Sequence, residues 1–203
     1  MKLMKKYLLC LFVILGVLAA CDEQIIPGMP EKKQESETTD KASQQYLIPA
    51  GAHYTTESGF KPMQGDVLRF NATFDQSAIY TTQDPANQGD INKLYGMSDC
   101  NSTHQVNSAR FGWRWYKDQL EIWAYTYADS ERKFQFITTV EINTKNTFEI
   151  EFANEVYIFR VNNTSIELPR ACEGKANGYK LYPYFGGDEV APHEIAIDIE
   201  DLN

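Results

Sequence analysis

Arginines, aromatics and histidines gather in two stretches of this 203-residue chain. The first holds His104, Arg110, Arg114, Trp123, Tyr125 and Tyr127, and the second holds Tyr182, Tyr184 and His193. Sugar recognition needs flat aromatic faces against C–H surfaces, with planar donors beside them to fix hydroxyls or carboxylates. Arg110, Arg114, Trp123, Tyr125, Tyr127, Tyr184 and His193 are therefore the candidate ligand-binding residues. The structural alternative is an aromatic-rich core with arginines lying over it. Uronate lyase chemistry would need a Tyr or His to take the proton alpha to a carboxylate, with Arg neutralising that carboxylate. Those residue types are present, but no catalytic set can be named from them. The acids Glu194, Asp198 and Glu200 are spaced by four and then two, as expected of an alternating outer strand. No CxxC or HExxH occurs, and the histidines are His53, His104 and His193, so neither a metal nor a cofactor is implied. Asp188 and Glu189 sit near a glycine turn but lack the DxDxDG spacing of a calcium loop.

Strands must position these residues, because the hydrophobic period is two nearly everywhere. Val67–Phe74, Ala109–Trp115, Leu120–Tyr127, Phe134–Val140, Phe148–Phe152, Tyr157–Val161 and Glu194–Ile199 alternate as half-buried strands do. Lys117-Asp118, Asn143 to Asn146 and Asn162-Asn163 supply turn chemistry between them. Alternation puts Phe111, Trp113 and Trp115 opposite Arg110, Gly112 and Arg114. It also puts Leu120, Ile122 and Ala124 opposite Glu121, Trp123, Tyr125 and Tyr127. If both apolar sets face the core, the arginines and aromatics share the other face. Gly112 leaves room there for a ligand or a neighbouring side chain. The Arg-Gly-Arg face is then either a carboxylate groove or a surface salt-bridged to acids such as Glu121 or Asp129. Tyr182–Gly187 reads as a strand ending in a glycine turn, with Pro183 confining it to an edge, a bulge or a strand end. One or two helical turns fit near Asp84 to Asn92. The expected fold is all-β: an antiparallel β-sandwich or jelly roll.

The first twenty residues read as a secretory signal. Lys2, Lys5 and Lys6 precede an apolar run from Tyr7 to Val17, shorter than the roughly 20 residues of a membrane span. Leu18-Ala19-Ala20-Cys21 resembles the lipobox of bacterial lipoproteins, which makes Cys21 the acylated (palmitate-type) N-terminus and a lipid bilayer the first partner. Residues 21–45 are polar, a disordered tether spanning roughly 25–30 Å. Residues 46–203 then form one domain. The chain carries 19 basic and 28 acidic residues, a net −9, and three of those lysines fall in residues 1–20. An acidic domain argues against a nucleic-acid partner. Cys10 leaves with the signal and Cys21 carries lipid. Cys100 and Cys172 remain in an exported chain, and a disulfide is the economical reading.

Three segments carry a family resemblance: Asn107–Trp115, Trp123–Phe134 and Tyr179–Ile199. Together they resemble small Bacteroidota lipoproteins with a concanavalin-like (laminin-G-like) jelly-roll domain, over most of Ile91 to Leu202. Tyr157–Pro169 fits the same scaffold as strand, tight turn and strand. The resemblance implies the fold; by analogy with such sandwiches it suggests a polysaccharide partner. The alginate lyase motifs QIH and YFKAGxYNQ are absent, as is the laminarinase ExDxxE strand. Non-catalytic binding of glycan or a cell-envelope ligand is therefore favoured over a lyase or hydrolase acting on acidic glycan. A structural or accessory lipoprotein with no small ligand is the third reading. The acids Asp22-Glu23 loosely resemble a Bacteroidota surface-export pattern, whereas Asp22 favours inner-membrane retention under the enteric rule. Outer membrane or cell surface is the favoured location.

Overall fold

The computed structural model describes residues 43–202. The expected signal, Cys21 and nearly all of the expected tether lie outside them. Twelve strands are formed among the described residues. They are β1 (Gln44–Ile48), β2 (Pro62–Gly65), β3 (Val67–Phe74), β4 (Asn92–Ser98), β5 (Ser108–Tyr116) and β6 (Gln119–Ala128), followed by β7 (Glu131–Val140), β8 (Asn146–Ala153), β9 (Val156–Val161), β10 (Thr164–Pro169), β11 (Ala176–Leu181) and β12 (Ile195–Asp201). β1 starts at Gln44, two residues before the expected domain boundary at 46. Two six-stranded sheets result, in the orders β1-β12-β3-β8-β9-β10 and β2-β11-β4-β5-β6-β7. Every strand pairing within them is antiparallel. The one helical segment expected, near Asp84, is a short 3-10 turn at Pro85–Gly89, capped by the Asp84 carboxylate on the Ala86 N–H.

The alternating apolar residues meet between the sheets. Phe111 on β5 packs edge-on against Phe148 on β8 at 5.0 Å, and Phe148 stacks on Phe70 of β3 at 5.2 Å. Trp113 meets Phe74 at 5.3 Å. All five rings are almost wholly buried, and burial of each such side chain contributes about 1.5–3 kcal/mol. That packing fixes the register of β5 and β6, since slipping by one residue would turn these rings out to solvent. Register is pinned at the hairpin too. Lys117 and Asp118 both adopt positive φ (51° and 59°), the left-handed pair that a two-residue hairpin requires. Asp129 and Ser130 repeat it between β6 and β7, with φ of 51° and 68°.

One end of the sandwich is held by a buried polar hub. Asp99 and Arg170 form an ion pair at 2.7 Å with both side chains fully buried. The Asp99 carboxylate also accepts from the Tyr157 hydroxyl (3.1 Å) and the Cys100 N–H (2.7 Å). Arg170 donates onward to the Ala153 and Gly174 carbonyls, each at 2.8 Å. Burial, and next the Asp99 charge, push the Tyr157 hydroxyl far above its usual range, so it stays a donor. Beside the hub, Cys100 and Cys172 are joined in a disulfide across 72 positions of sequence.

Candidate ligand groove on the outer face of the second sheet

The pairing of β5 with β6 sets Arg110 opposite Tyr125, Gly112 opposite Trp123 and Arg114 opposite Glu121. Phe111, Trp113, Leu120, Ile122 and Ala124 all belong to the core. Arg110, Arg114, Trp123, Tyr125 and Tyr127 thus share the outer face of one sheet. The face divides into two halves of different character.

At Arg114 it is filled. The guanidinium Nε donates to Glu121 Oε2 at 2.7 Å and Nη1 to the Gly89 carbonyl. Its plane lies 4.5 Å from both the Tyr116 and Trp123 rings. Trp123 Nε1 donates to the same Glu121 oxygen at 3.0 Å. Glu121, not Asp129, is the acid that pairs. The space beside Gly112 holds no ligand gap: a Cβ there would come within 2.4 Å of Ile91 Cγ2, so the neighbouring side chain occupies it.

At Arg110 the face is open. A groove of about 450 Å³ runs over it, lined by Tyr54, Lys93, His104, Tyr125, Tyr127 and Tyr184 among others. Arg110 makes no ion pair and no side-chain hydrogen bond among the described residues. Its nearest aromatic partner is the Tyr125 ring, 5.8 Å from the guanidinium carbon. Gly96 on β4 is what lets the arginine lie there, because a Cβ at that position would stand 2.3 Å from the Arg110 Cβ. Burial pulls the guanidinium down to about 10, against an opposing pull from the surrounding tyrosines Tyr125, Tyr127, Tyr184 and Tyr179. It therefore remains a cation at neutral pH, partly desolvated and without a counter-charge. Such a group costs free energy in the empty protein and gains it back when an anion arrives.

The remaining walls present donors. Tyr179 Oη accepts the His104 backbone N–H (3.1 Å) and lies 2.9 Å from His104 Nδ1. The Tyr179 hydroxyl thereby holds the His104 ring by its Nδ1 edge. Burial, and then Arg110, keep His104 below its ordinary range and hence neutral. Tyr184 stacks on His53 at 5.3 Å and meets exposed Tyr54 edge-on at 4.9 Å. Burial raises the Tyr184 and Tyr125 hydroxyls, which keeps both in the phenol form.

His193 is placed elsewhere. Its Nε2 donates to the Ser77 carbonyl at 2.8 Å, and it does not line the groove. The expected strand Tyr182–Gly187 is instead an isolated pair of bridges at Tyr184, to Tyr54 and to Lys93. Glu189 accepts the Gln83 and Asp84 N–H groups at 2.7 and 2.8 Å, so its carboxylate braces a loop. Lys93, Tyr179, Arg132 and Tyr54 are site residues that the sequence pattern did not single out. Lys93 lies at a bulge in β4, where the pairing shifts between Lys93 and Gly96 and the alternation breaks. Phe134 and Phe136, expected to alternate in step with Val140, are instead exposed on the face of Arg132 while Ile137 and Val140 are buried, because the pairing of β6 with β7 shifts between Ile122 and Trp123.

No family model matches the chain, and no curated protein matches its sequence. Solved structures match its fold. The alginate lyase AlyC3 aligns at a TM-score of 0.52 and 10% identity, covering 79% of this chain and 75% of that one. The domain is a jelly roll. A family 7 alginate lyase, A1-II′, gives 0.49 at 8% identity over 77% and 76% of the two chains. A glycoside hydrolase family 16 endo-glucanase from Bacteroides ovatus gives 0.48 at 8% over 80% and 82%. The two-sheet architecture and the first of these alignments agree with the concanavalin-like sandwich that the sequence resemblance implies.

Proposed function

We propose that this jelly roll binds an acidic glycan without cleaving it, as the exported, lipid-anchored domain of an envelope lipoprotein. One observation carries the binding reading: Arg110 is a partly buried cation with no anionic partner, on the floor of an aromatic-walled groove. A uronate carboxylate meets both forks of a guanidinium, while tyrosine rings pack on the sugar's C–H face. The phenol hydroxyls would donate to ring hydroxyls.

The chemistry of the walls supports binding over elimination. A lyase base must accept a proton. Tyr125 and Tyr184 are held protonated, and the Nδ1 of His104 is engaged by Tyr179. The lipid anchor rests on the signal-like residues 1–20 and the Leu18–Cys21 pattern, and location at the outer membrane or cell surface rests on Asp22-Glu23.

The test is a calorimetric screen of alginate, pectate and neutral glucan oligomers against the domain, with parallel ultraviolet monitoring for unsaturated uronate. Acidic oligomers should bind, neutral ones should not, and no absorbance should grow. Growing absorbance would replace the binding reading with a lyase, and no binding by any acidic glycan would remove the reading altogether.

A further inference from the structure

The groove does not end at Arg110. A second, smaller hollow of about 210 Å³ adjoins it and shares Lys93, Tyr125 and Gly187 with its lining. Its lining adds Arg114, which is paired with Glu121, and Arg132, an exposed residue on β7 that sits opposite Tyr127 on β6 and has no ion-pair partner among the described residues. Arg110 and Arg132 are thus carried by strands two places apart in the sheet, roughly 10 Å across the strand direction. Lys93 belongs to both hollows. Its ammonium donates to the Ile91 carbonyl at 2.6 Å and lies 4.7 Å from the centre of the Tyr125 ring, with no carboxylate in ion-pair contact.

We infer that the two hollows together take a stretch of polymer bearing two acidic groups, one at Arg110 and the other at Lys93 with Arg132. This rests on the acidic-glycan reading of the Arg110 groove and adds to it a minimum ligand length and a second anchoring pair. Leaving aside Arg114, which Glu121 neutralises, three cations lie on one strip with Asp90 as the acid in the lining, and they repel one another in the empty protein. A ligand with one negative charge relieves that repulsion at one end, and a ligand with two relieves it at both.

A consequence for protons follows from the groups around Lys93. Facing it are Arg110 from β5, Arg132 from β7, the Tyr125 ring from β6, Asp90 from the segment before β4 and Tyr184 from the segment after β11. Burial first, then Arg110 and Arg132, pull its ammonium down to about 8, with Asp90 opposing. A bound carboxylate pushes it back up. The sign is fixed: above pH 8 the free protein has lost much of this proton, the complex keeps it, and binding takes a proton up. Affinity for a two-charge ligand therefore falls as pH rises through 8, and the one-charge contact at Arg110 does not share that fall.

The experiment titrates galacturonate and guluronate oligomers of one to four residues into wild type, Arg132→Ala and Lys93→Gln at pH 6.5 and 8.5. At pH 8.5 it uses two buffers of different ionisation enthalpy. Wild type should gain at least tenfold in affinity between the monomer and the shortest oligomer that reaches both hollows, with net proton uptake. Arg132→Ala should lose most of that gain while keeping its monomer affinity, and Lys93→Gln should lose the proton uptake. Arg132 is exposed, so its variant tests the idea even if Lys93→Gln fails to fold. Equal affinity at every length, or a gain unchanged in Arg132→Ala, overturns the second anchor and leaves the Arg110 reading standing. Absence of binding at every length overturns both.

Discussion

Arg110 and Arg114 differ in sequence by four positions and in chemistry by one glutamate. Arg114 has its charge met by Glu121 and its plane covered by Trp123 and Tyr116. Arg110 has neither. The same alternation that puts both on one face says nothing of which one finds an acid, because the register sets Glu121 opposite Arg114 and Tyr125 opposite Arg110. Arg114→Ala should consequently behave as a structural substitution. Removing a largely buried ion pair and its ring contacts should cost about 1–3 kcal/mol of stability. Affinity for an acidic oligomer should stay within about threefold of wild type. Thermal melting beside calorimetry reads both; a tenfold loss of affinity with an unchanged melt would move the ligand contact from Arg110 to Arg114.

At the scale of elements, alternation found the strands whose two faces meet different surroundings. β3, β5, β6, β8, β9 and β12 each bury every second residue, and their sequences show it. β4 escaped because its bulge buries Leu94 and Tyr95 in succession, so no period of two survives. With β4 went Lys93, the cation common to both hollows. β1, β2 and β11 are short, and their pairing is decided by partners distant in sequence. The Asp99–Arg170 pair was equally invisible, since 71 residues separate its members. It ties the start of the loop after β4 to the segment after β10. Arg170→Met should cost about 3–5 kcal/mol, because Asp99 would be left as a buried, unmatched charge. Urea unfolding of the variant checks this; a loss under about 1 kcal/mol would mean that the remaining donors to Asp99 suffice without the arginine.

At the scale of the whole molecule, a chain with a net charge of −9 carries three cations without an ion-pair partner, Lys93, Arg110 and Arg132, together on one sheet face. An acidic body discourages polyanions from lodging elsewhere, while the groove offers them a local positive site. If Cys21 is acylated and residues 21–45 form the tether, that face is free to sample glycan at some distance from a bilayer. Cys21→Ser should then release the protein from membranes into the soluble fraction. Retention of the variant in alkali-washed membranes would sink the lipid anchor while leaving the groove untouched.

The central claim is that Arg110 is kept for a ligand rather than for the fold. Its most direct test is Arg110→Met, followed by calorimetry with an acidic oligosaccharide and by thermal melting of the unliganded protein. Methionine fills similar space without a charge to desolvate, so the melt should stay level or rise. Binding should weaken by roughly ten- to a hundredfold, the loss of one charge-assisted contact worth about 1.5–3 kcal/mol. A variant that binds as wild type does, or one whose melting temperature falls along with its binding, would contradict the account.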